Sequence, residues 1–261
     1  MNLACSADEM MTVAAARMLR DGAVCFVGIG LPSTAANLAR LTHAPNAVLV
    51  YESGPIGAKP TVLPLSIGDG TLAETAETVV STPEIFRYWL QGGRIDVGFL
   101  GAAQLDRFAN LNTTVIGPYE KPKVRLPGAG GASEISSSAK EVLIIVKQTP
   151  RTFVEKLDFI TSVGFLNGGD SRQRAGLSGN GPTAVISDLC ILRPNPQSHE
   201  LEVTSIHPGV SRETIIASTG WTICFAETCH ETPAPDATEL ETLRDLKKRT
   251  AAAHGIHGEA A

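Results

Sequence analysis

The sequence predicts an α/β protein: an open, mostly parallel sheet covered by helices, with a small β-rich part towards the C-terminus. Three observations carry this. Short apolar runs rich in β-branched residues alternate with stretches of helical periodicity as far as DVGFL at 96–100, and glycine turns join them. The run EVLIIVK at 141–147 is apolar almost throughout, as a strand covered on both faces should be. TAVIS, CIL and LEVTSI then follow within residues 183–206 with no helix between them, the order of antiparallel strands, with Pro194 and Pro196 in a connection. A chain of 261 residues fits one α/β domain better than two.

Each element has a local cause. Ser6 and Glu9 have capping-box spacing, and MMTVAAARML carries apolar residues at helical spacing until Asp21-Gly22 stops it. AVCFV at 23–27 reads as a buried strand and ends in Gly28-Ile29-Gly30-Leu31-Pro32-Ser33, after which STAANLARL is helical again. AVLVY at 47–51 is a strand that runs straight into Glu52-Ser53-Gly54. Ser81 with Glu84, and Pro83 in the first turn, start a helix through EIFRYWLQ that stops at Gly92-Gly93. Gly164 to Pro182 is rich in Gly, Asn and Ser without periodicity and reads as a long loop, functional or mobile. Ser211 caps a helix through RETIIAST, and a C-terminal helix over roughly 236–253 interleaves charges with apolar residues, as an exposed amphipathic helix does.

Composition excludes several function classes. Apolar types make up 43% of residues and charged types 19%, which supplies a core and rules out disorder. The 22 basic and 27 acidic residues give a net charge of −5 with no cluster of Lys and Arg, so neither nucleic acid nor a membrane surface is an expected partner. MNLACSADEM lacks a basic start followed by an apolar run, and no stretch has bilayer-spanning length, so the expected location is the cytoplasm. Cys5, Cys25, Cys190, Cys224 and Cys229 are odd in number and form no CxxC pair, which argues against a disulfide framework and against a metal site. Cys25 and Cys190 sit inside strand runs and read as core residues. HExxH, P-loop and Gly-x-Ser-x-Gly patterns are absent, which removes zinc hydrolase, kinase and serine hydrolase readings.

Chemistry concentrates at glycine-rich strand ends. Gly28 and Gly30 lie in a strand, turn and helix that resemble half of a dinucleotide fingerprint, but Ser33 stands where the third glycine belongs, and a plain connection outweighs dinucleotide binding. Glu52 follows a strand at the carboxyl edge, where open α/β sheets bind ligands; the alternative is a carboxylate that caps a turn or pairs with Lys59. Gly128, Gly130 and Gly131, after Lys121, Lys123 and Arg125, either bring backbone N–H groups close to an acyl group or phosphate or form a flexible surface loop. Gln104 and Asp106 follow DVGFL at the same edge, with Asn110 and Asn112 in a tight turn. His207 reads as a satisfied loop histidine before it reads as a base, and His254 and His257 lie in the tail.

Taken in order, VGIGLPSTAANLAR, YESG, FLGAAQLDRFANLNTTVIG and KVRLPGAGGA, followed by TSVGFLNGGDSR, GLSGNGP and HPGVS, resemble the B subunit of class I coenzyme A transferases across essentially the whole chain. The resemblance is to the branch that holds the glutaconate and 3-oxoadipate enzymes. It implies the class I CoA-transferase fold and a nucleophilic glutamate in an E-S/N-G setting, which falls on Glu52-Ser53-Gly54. It further implies a ping-pong reaction through a mixed anhydride and a glutamyl-CoA thioester, which needs an ionised carboxylate and a dry pocket. In that frame Gly28 and Gly30 floor the site, Ser53 and Gly54 adjoin it, Gly130, Gly131 and Ala132 offer CoA or oxyanion contacts, and Gln104 touches substrate.

The same resemblance implies no metal and no cofactor, the CoA thioester being both substrate and covalent intermediate. A separately encoded A subunit is the implied partner and completes the active site. YESGPIGAKPTVLPLSIGDGTLAETA and EIFRYWLQGGRIDVGFLGAAQLDRF look most like members that move CoA from succinyl-CoA to 3-oxoadipate in the bacterial degradation of aromatic compounds. A glutaconate-type dicarboxylate transferase and a CoA-ester hydrolase on the same scaffold are the alternatives. A small dicarboxylic acid needs a cation or donor for its far carboxylate, and Lys59, Arg87 and Arg107 are candidates.

Overall fold

The computed structural model describes residues 4–255, so His257 lies outside the described residues. Helix α1 (Ala7–Ala16) starts at the expected capping box, Glu9 N–H donating to Ser6 Oγ at 3.2 Å and Ser6 N–H to Glu9 Oε2 at 2.9 Å. β1 (Val24–Val27), α2 (Leu31–Leu41) and β2 (Val48–Val50) follow as the apolar runs and glycine turn predict. β2 reverses sharply into β3 (Pro55–Ile56), and after α3 (Gly70–Glu74) strand β4 (Thr78–Val79) pairs antiparallel with β3. The helix predicted from Ser81 begins as α4 (Thr82–Glu84) but continues as a π-helical stretch, Ile85–Leu90, in which Gln91 N–H donates to the carbonyl of Phe86 rather than to that of Arg87.

β5 (Val97–Leu100) precedes two small hairpins, β6 (Gln104–Leu105) with β7 (Leu111–Asn112) and β8 (Val115–Ile116) with β9 (Val124–Arg125). Then come α5 (Ala132–Ser138), β10 (Glu141–Ile145), α6 (Ser171–Arg174), β11 (Pro182–Ile186), β12 (Cys190–Pro194) and β13 (Leu201–Ile206). The chain continues through α7 (Arg212–Ala217), capped by Ser211 as predicted, β14 (Cys224–Glu231) and α8 (Ala237–Ala253).

Ten strands form one sheet in the order β14-β13-β12-β11-β10-β5-β1-β2-β3-β4. From β2 through β1, β5 and β10 to β11 all neighbours are parallel; β12 and β13 add antiparallel pairs, and β14 lies parallel to β13. The β-rich part expected at 183–206 is therefore no annex. β11 sits in the parallel core with Val185 opposite Ile144, and β12, β13 and the unforeseen β14 extend the same sheet. Which strand pairs with which is decided across long stretches of chain, and periodicity within a strand does not report it.

Alternate residues of β10 serve opposite faces. Leu143 and Ile145 join Met11, Leu38 and Leu49, whereas Val142 and Ile144 join Phe26, Ile85 and Ile135. That is the two-sided burial predicted for EVLIIVK. Cys25 and Cys190 are buried core residues as predicted, and burial raises the pKa of both thiols, that of Cys190 to about 12. The C-terminal helix, in contrast, is docked rather than simply exposed. Leu240, Leu243 and Leu246 are fully buried, Arg17 Nε donates to Glu239 Oε1 at 2.7 Å, and Arg244 Nε donates to Glu9 Oε1 at 2.7 Å.

The Gly164–Pro182 segment is wrapped around one buried side chain. Arg172 Nε donates to Gly179 O at 2.9 Å, one terminal nitrogen to Gly164 O at 2.9 Å and the other to Ser136 O at 2.7 Å. Burial lowers the Arg172 pKa to about 10, which leaves the guanidinium charged near neutrality. The cation supplies donors to carbonyls that the irregular backbone cannot satisfy by itself. Among the described residues the cysteines form no disulfide, no group of His, Cys, Asp and Glu could hold a metal ion, and no helix is long and apolar enough to cross a membrane.

Candidate active site

β1, β2 and β5 run parallel and in step, with Phe26 opposite both Val50 and Gly98, so Gly28, Glu52 and Leu100 emerge at one sheet edge. Two anchors fix Glu52 there. On one side Tyr51 is wholly buried, its hydroxyl 3.3 Å from Ser33 Oγ and 3.3 Å from Asn37 Nδ2 on α2. Burial raises the pKa of that phenol, which keeps it protonated. Ser33, the residue that breaks the dinucleotide pattern, thus ties the strand end to the helix that follows the Gly28–Gly30 turn. On the other side Gly54 N–H donates to Tyr51 O at 3.0 Å, and Gly54 O accepts from Val80 N–H at 3.1 Å. Gly54 has φ 118°, and a Cβ there would stand 2.0 Å from the Val80 carbonyl oxygen, so the turn admits glycine alone.

Between these anchors the half-buried Glu52 turns its carboxyl towards the second glycine loop. Its Oε2 lies 3.9 Å from the point a Cβ on Gly130 would occupy, and its Cδ 3.4 Å from the corresponding point on Gly131. Among the described residues the carboxylate has no hydrogen-bond or ion-pair partner; Lys59, the cation weighed against it, pairs with Glu77 at 2.9 Å. The amides of Gly130 and Gly131 likewise donate to no protein acceptor there, and the Ser53 hydroxyl is buried without a partner. Ala132 opens α5 beside them. An unpaired carboxylate with unused donors alongside has the chemistry to attack an acyl carbon in a setting able to receive developing negative charge.

Phe86 was not picked out by the sequence. Its ring edge reaches 2.7 Å from the point where a Gly131 Cβ would lie, so the aromatic ring, the bare glycine and the Glu52 carboxyl carbon share one small space. The π-helical turn that delivers Phe86 has no sequence signature, since Ile85, Phe86, Trp89 and Leu90 have spacings that an α-helix would bury equally well.

Other candidates fall outside this group. Gln104, the expected substrate contact, is buried and held by the protein itself: its Nε2 donates to Asp158 Oδ2 at 2.9 Å, and its Oε1 accepts from Asn112 Nδ2 at 2.7 Å. Arg107 is held by Glu200 at 3.5 Å and Glu155 at 3.7 Å, whereas Arg87 is exposed on the π-helical stretch next to Phe86. A cleft of about 440 Å³ lined by Phe165, Arg172, Asn180 and His199 lies by the amino ends of β10 and β11, where Asn180 N–H donates to Lys140 O; this is the edge opposite Glu52.

His207 is the satisfied histidine that its setting suggested. Its Nε2 lies 2.8 Å from Ser187 O, which can only accept, so Nε2 carries the proton, and Nδ1 lies 3.0 Å from Thr232 Oγ1. Burial holds its pKa below the ordinary imidazole range. The unfolded chain takes up a proton on this side chain near pH 6.5 that the folded chain refuses, so its contribution to stability is complete above about pH 6.5 and is lost as pH falls. Thermal melts should show the His207→Gln protein losing less Tm than wild type between about pH 7 and pH 5; equal losses would contradict the assignment.

The profile of the family described as Coenzyme A transferase matches residues 8–218. The B subunit of the 3-oxoadipate CoA-transferase of Pseudomonas knackmussii is 73% identical over 253 residues, which cover 97% of each chain. The B subunit of the glutaconate CoA-transferase of Acidaminococcus fermentans is 32% identical over 245 residues, with 91% of this chain and 90% of that one covered. The crystal structure of glutaconate coenzyme A-transferase from the same organism superposes with a TM-score of 0.88 at 29% identity, covering 95% of this chain and 96% of that one.

Proposed function

The chain belongs to the coenzyme A transferase family, and we propose that it is the B subunit of a heteromeric enzyme that moves CoA from succinyl-CoA to 3-oxoadipate through a glutamyl-CoA thioester on Glu52. The observation that carries the reading is the Glu52 carboxylate itself, fixed at the carboxyl edge of β2, set against the bare α-carbons of Gly130 and Gly131 and without a counter-ion among the described residues. Similarity to the P. knackmussii protein supports 3-oxoadipate as the acceptor and a place in the bacterial degradation of aromatic compounds.

The chemistry then runs in two mirrored halves. A Glu52 oxygen attacks the succinyl-CoA carbonyl, the C–S bond breaks, and a succinyl-glutamyl anhydride and CoA thiolate result. The thiolate attacks the Glu52 carboxyl carbon and releases succinate, leaving the thioester on the protein. The acceptor carboxylate repeats the steps in reverse and leaves with CoA. Protons are neither taken up nor released, and no metal or redox group is needed, so the reading includes no cofactor. The unused Gly130 and Gly131 amides serve the oxyanions of the tetrahedral stages. Of the three cations considered for the far carboxylate, Arg87 has no ion-pair partner among the described residues and stands beside Phe86.

A second subunit completes the site in this reading. Val79 is 52% exposed and Tyr88 62% exposed on the elements that flank Glu52, an apolar rim suited to a protein partner. The location of such an enzyme, which exchanges soluble CoA esters, is the cytoplasm. Intact-mass analysis of this chain, purified with its A partner and mixed with succinyl-CoA alone, tests the whole. The expected result is a gain of one CoA mapped to Glu52 and discharged by 3-oxoadipate. Discharge by glutaconate alone would replace the acceptor, and steady release of free CoA without an adduct would replace transfer by hydrolysis.

A further inference from the structure

A glutamyl thioester survives only if water is kept from its carbonyl carbon, which here is the Glu52 Cδ. The point 3.4 Å from that carbon, where a Gly131 Cβ would lie, is also 2.7 Å from Phe86 Cζ and 3.0 Å from Phe86 Cε1. The ring edge and the carboxyl carbon therefore flank the same bare face of Gly131, where even a single added carbon would collide with the ring, and the ring covers that side of the Glu52 carboxyl.

The ring is held firmly in that place. Phe86 packs at 51° against Phe26 of β1 with centroids 5.9 Å apart, and the fully buried Ile85 and Leu90 fix the stretch on both sides of it. The wide turn is maintained by Gln91 N–H on Phe86 O at 2.9 Å and Arg94 N–H on Trp89 O at 2.8 Å. Gln91 Nε2 donates to Glu134 Oε1 at 2.7 Å, which links the stretch directly to α5, the helix that Gly131 starts. π-helical turns hydrogen-bond less favourably than α-helix and concentrate at functional sites. This one sets an aromatic edge against the nucleophile.

We propose that Phe86, placed by the π-helical turn, is a specificity-determining residue that shields the Glu52 thioester from water and so decides whether CoA passes to an acid or is lost to hydrolysis. The proposal rests on the covalent reading of Glu52. In the leak it prevents, water oxygen adds to Cδ, the C–S bond breaks, the CoA sulfur leaves as thiol, and Glu52 returns as carboxylate with release of one proton.

The test uses the assembled enzyme with its A partner, as wild type, Phe86→Ala and Phe86→Leu. Each is mixed with succinyl-CoA without acceptor, and adduct mass and free CoA are followed in time. Phe86→Ala should load on Glu52 and then discharge to water about tenfold faster than wild type or more, with Phe86→Leu between them because its side chain refills part of the gap. The ratio of hydrolysis to transfer, measured with acceptor present, should rise in the same order. Equal discharge rates in loaded wild type and both variants would overturn the shield while leaving the covalent route intact. Absence of an adduct in the wild type would overturn the covalent reading and the shield with it.

Discussion

Glu52→Gln in the assembled enzyme is expected to lower CoA transfer by at least about four orders of magnitude, the scale on which removal of a covalent nucleophile acts. The amide keeps the shape of the side chain but has no anionic oxygen to attack a thioester. Stability should barely change, by less than about 0.5 kcal/mol, because the carboxylate holds no ion pair or hydrogen bond among the described residues whose loss would be felt. That combination separates a nucleophile from a positioning residue. Steady-state transfer from succinyl-CoA, together with thermal melts, reads both quantities. A variant that still exchanges CoA within tenfold of wild type would place the chemistry on the partner subunit and leave Glu52 a contact residue.

Glu52 was legible because two local signals coincide there: an apolar run that must be a buried strand, and a polar Glu-Ser-Gly where that run meets the ligand-binding edge. β1, β2, β5 and β10 were legible as short apolar runs rich in β-branched residues and bounded by turn or polar residues, the pattern of buried strands. What escaped depends on partners distant in sequence. The Gln104 side chain looks free until Asp158 closes on it, and α8 looks exposed until α1 and α2 cover Leu243. β14 is largely exposed, so its residues carry little of the alternation that reveals a strand. Phe86 escaped because a single additional backbone residue in one turn, invisible to side-chain spacing, moves it against Gly131.

Gly54→Ala should be the most damaging small substitution in the site, and its cost follows from geometry rather than from any lost contact. The added methyl would stand 2.0 Å from the Val80 carbonyl oxygen and 3.2 Å from its carbon, both backbone atoms that a side-chain rotation cannot move aside. The same backbone has φ 118°, outside the regions open to alanine. Gly22, in the turn before β1, provides the matched control: it also has positive φ, 74°, but nothing within 4 Å of its Cβ position, so Gly22→Ala incurs strain without collision. Urea unfolding should therefore show a loss of about 1 kcal/mol for Gly22→Ala and about 3 kcal/mol for Gly54→Ala. The functional difference should be larger still. To relieve the clash the turn must pull away from β4, and the turn is what aims Glu52 at Gly130 and Gly131. CoA loading should be complete in Gly22→Ala and strongly reduced in the folded fraction of Gly54→Ala. Normal loading in a stable Gly54→Ala protein would mean that the Tyr51–Ser33 anchor alone holds the nucleophile in place.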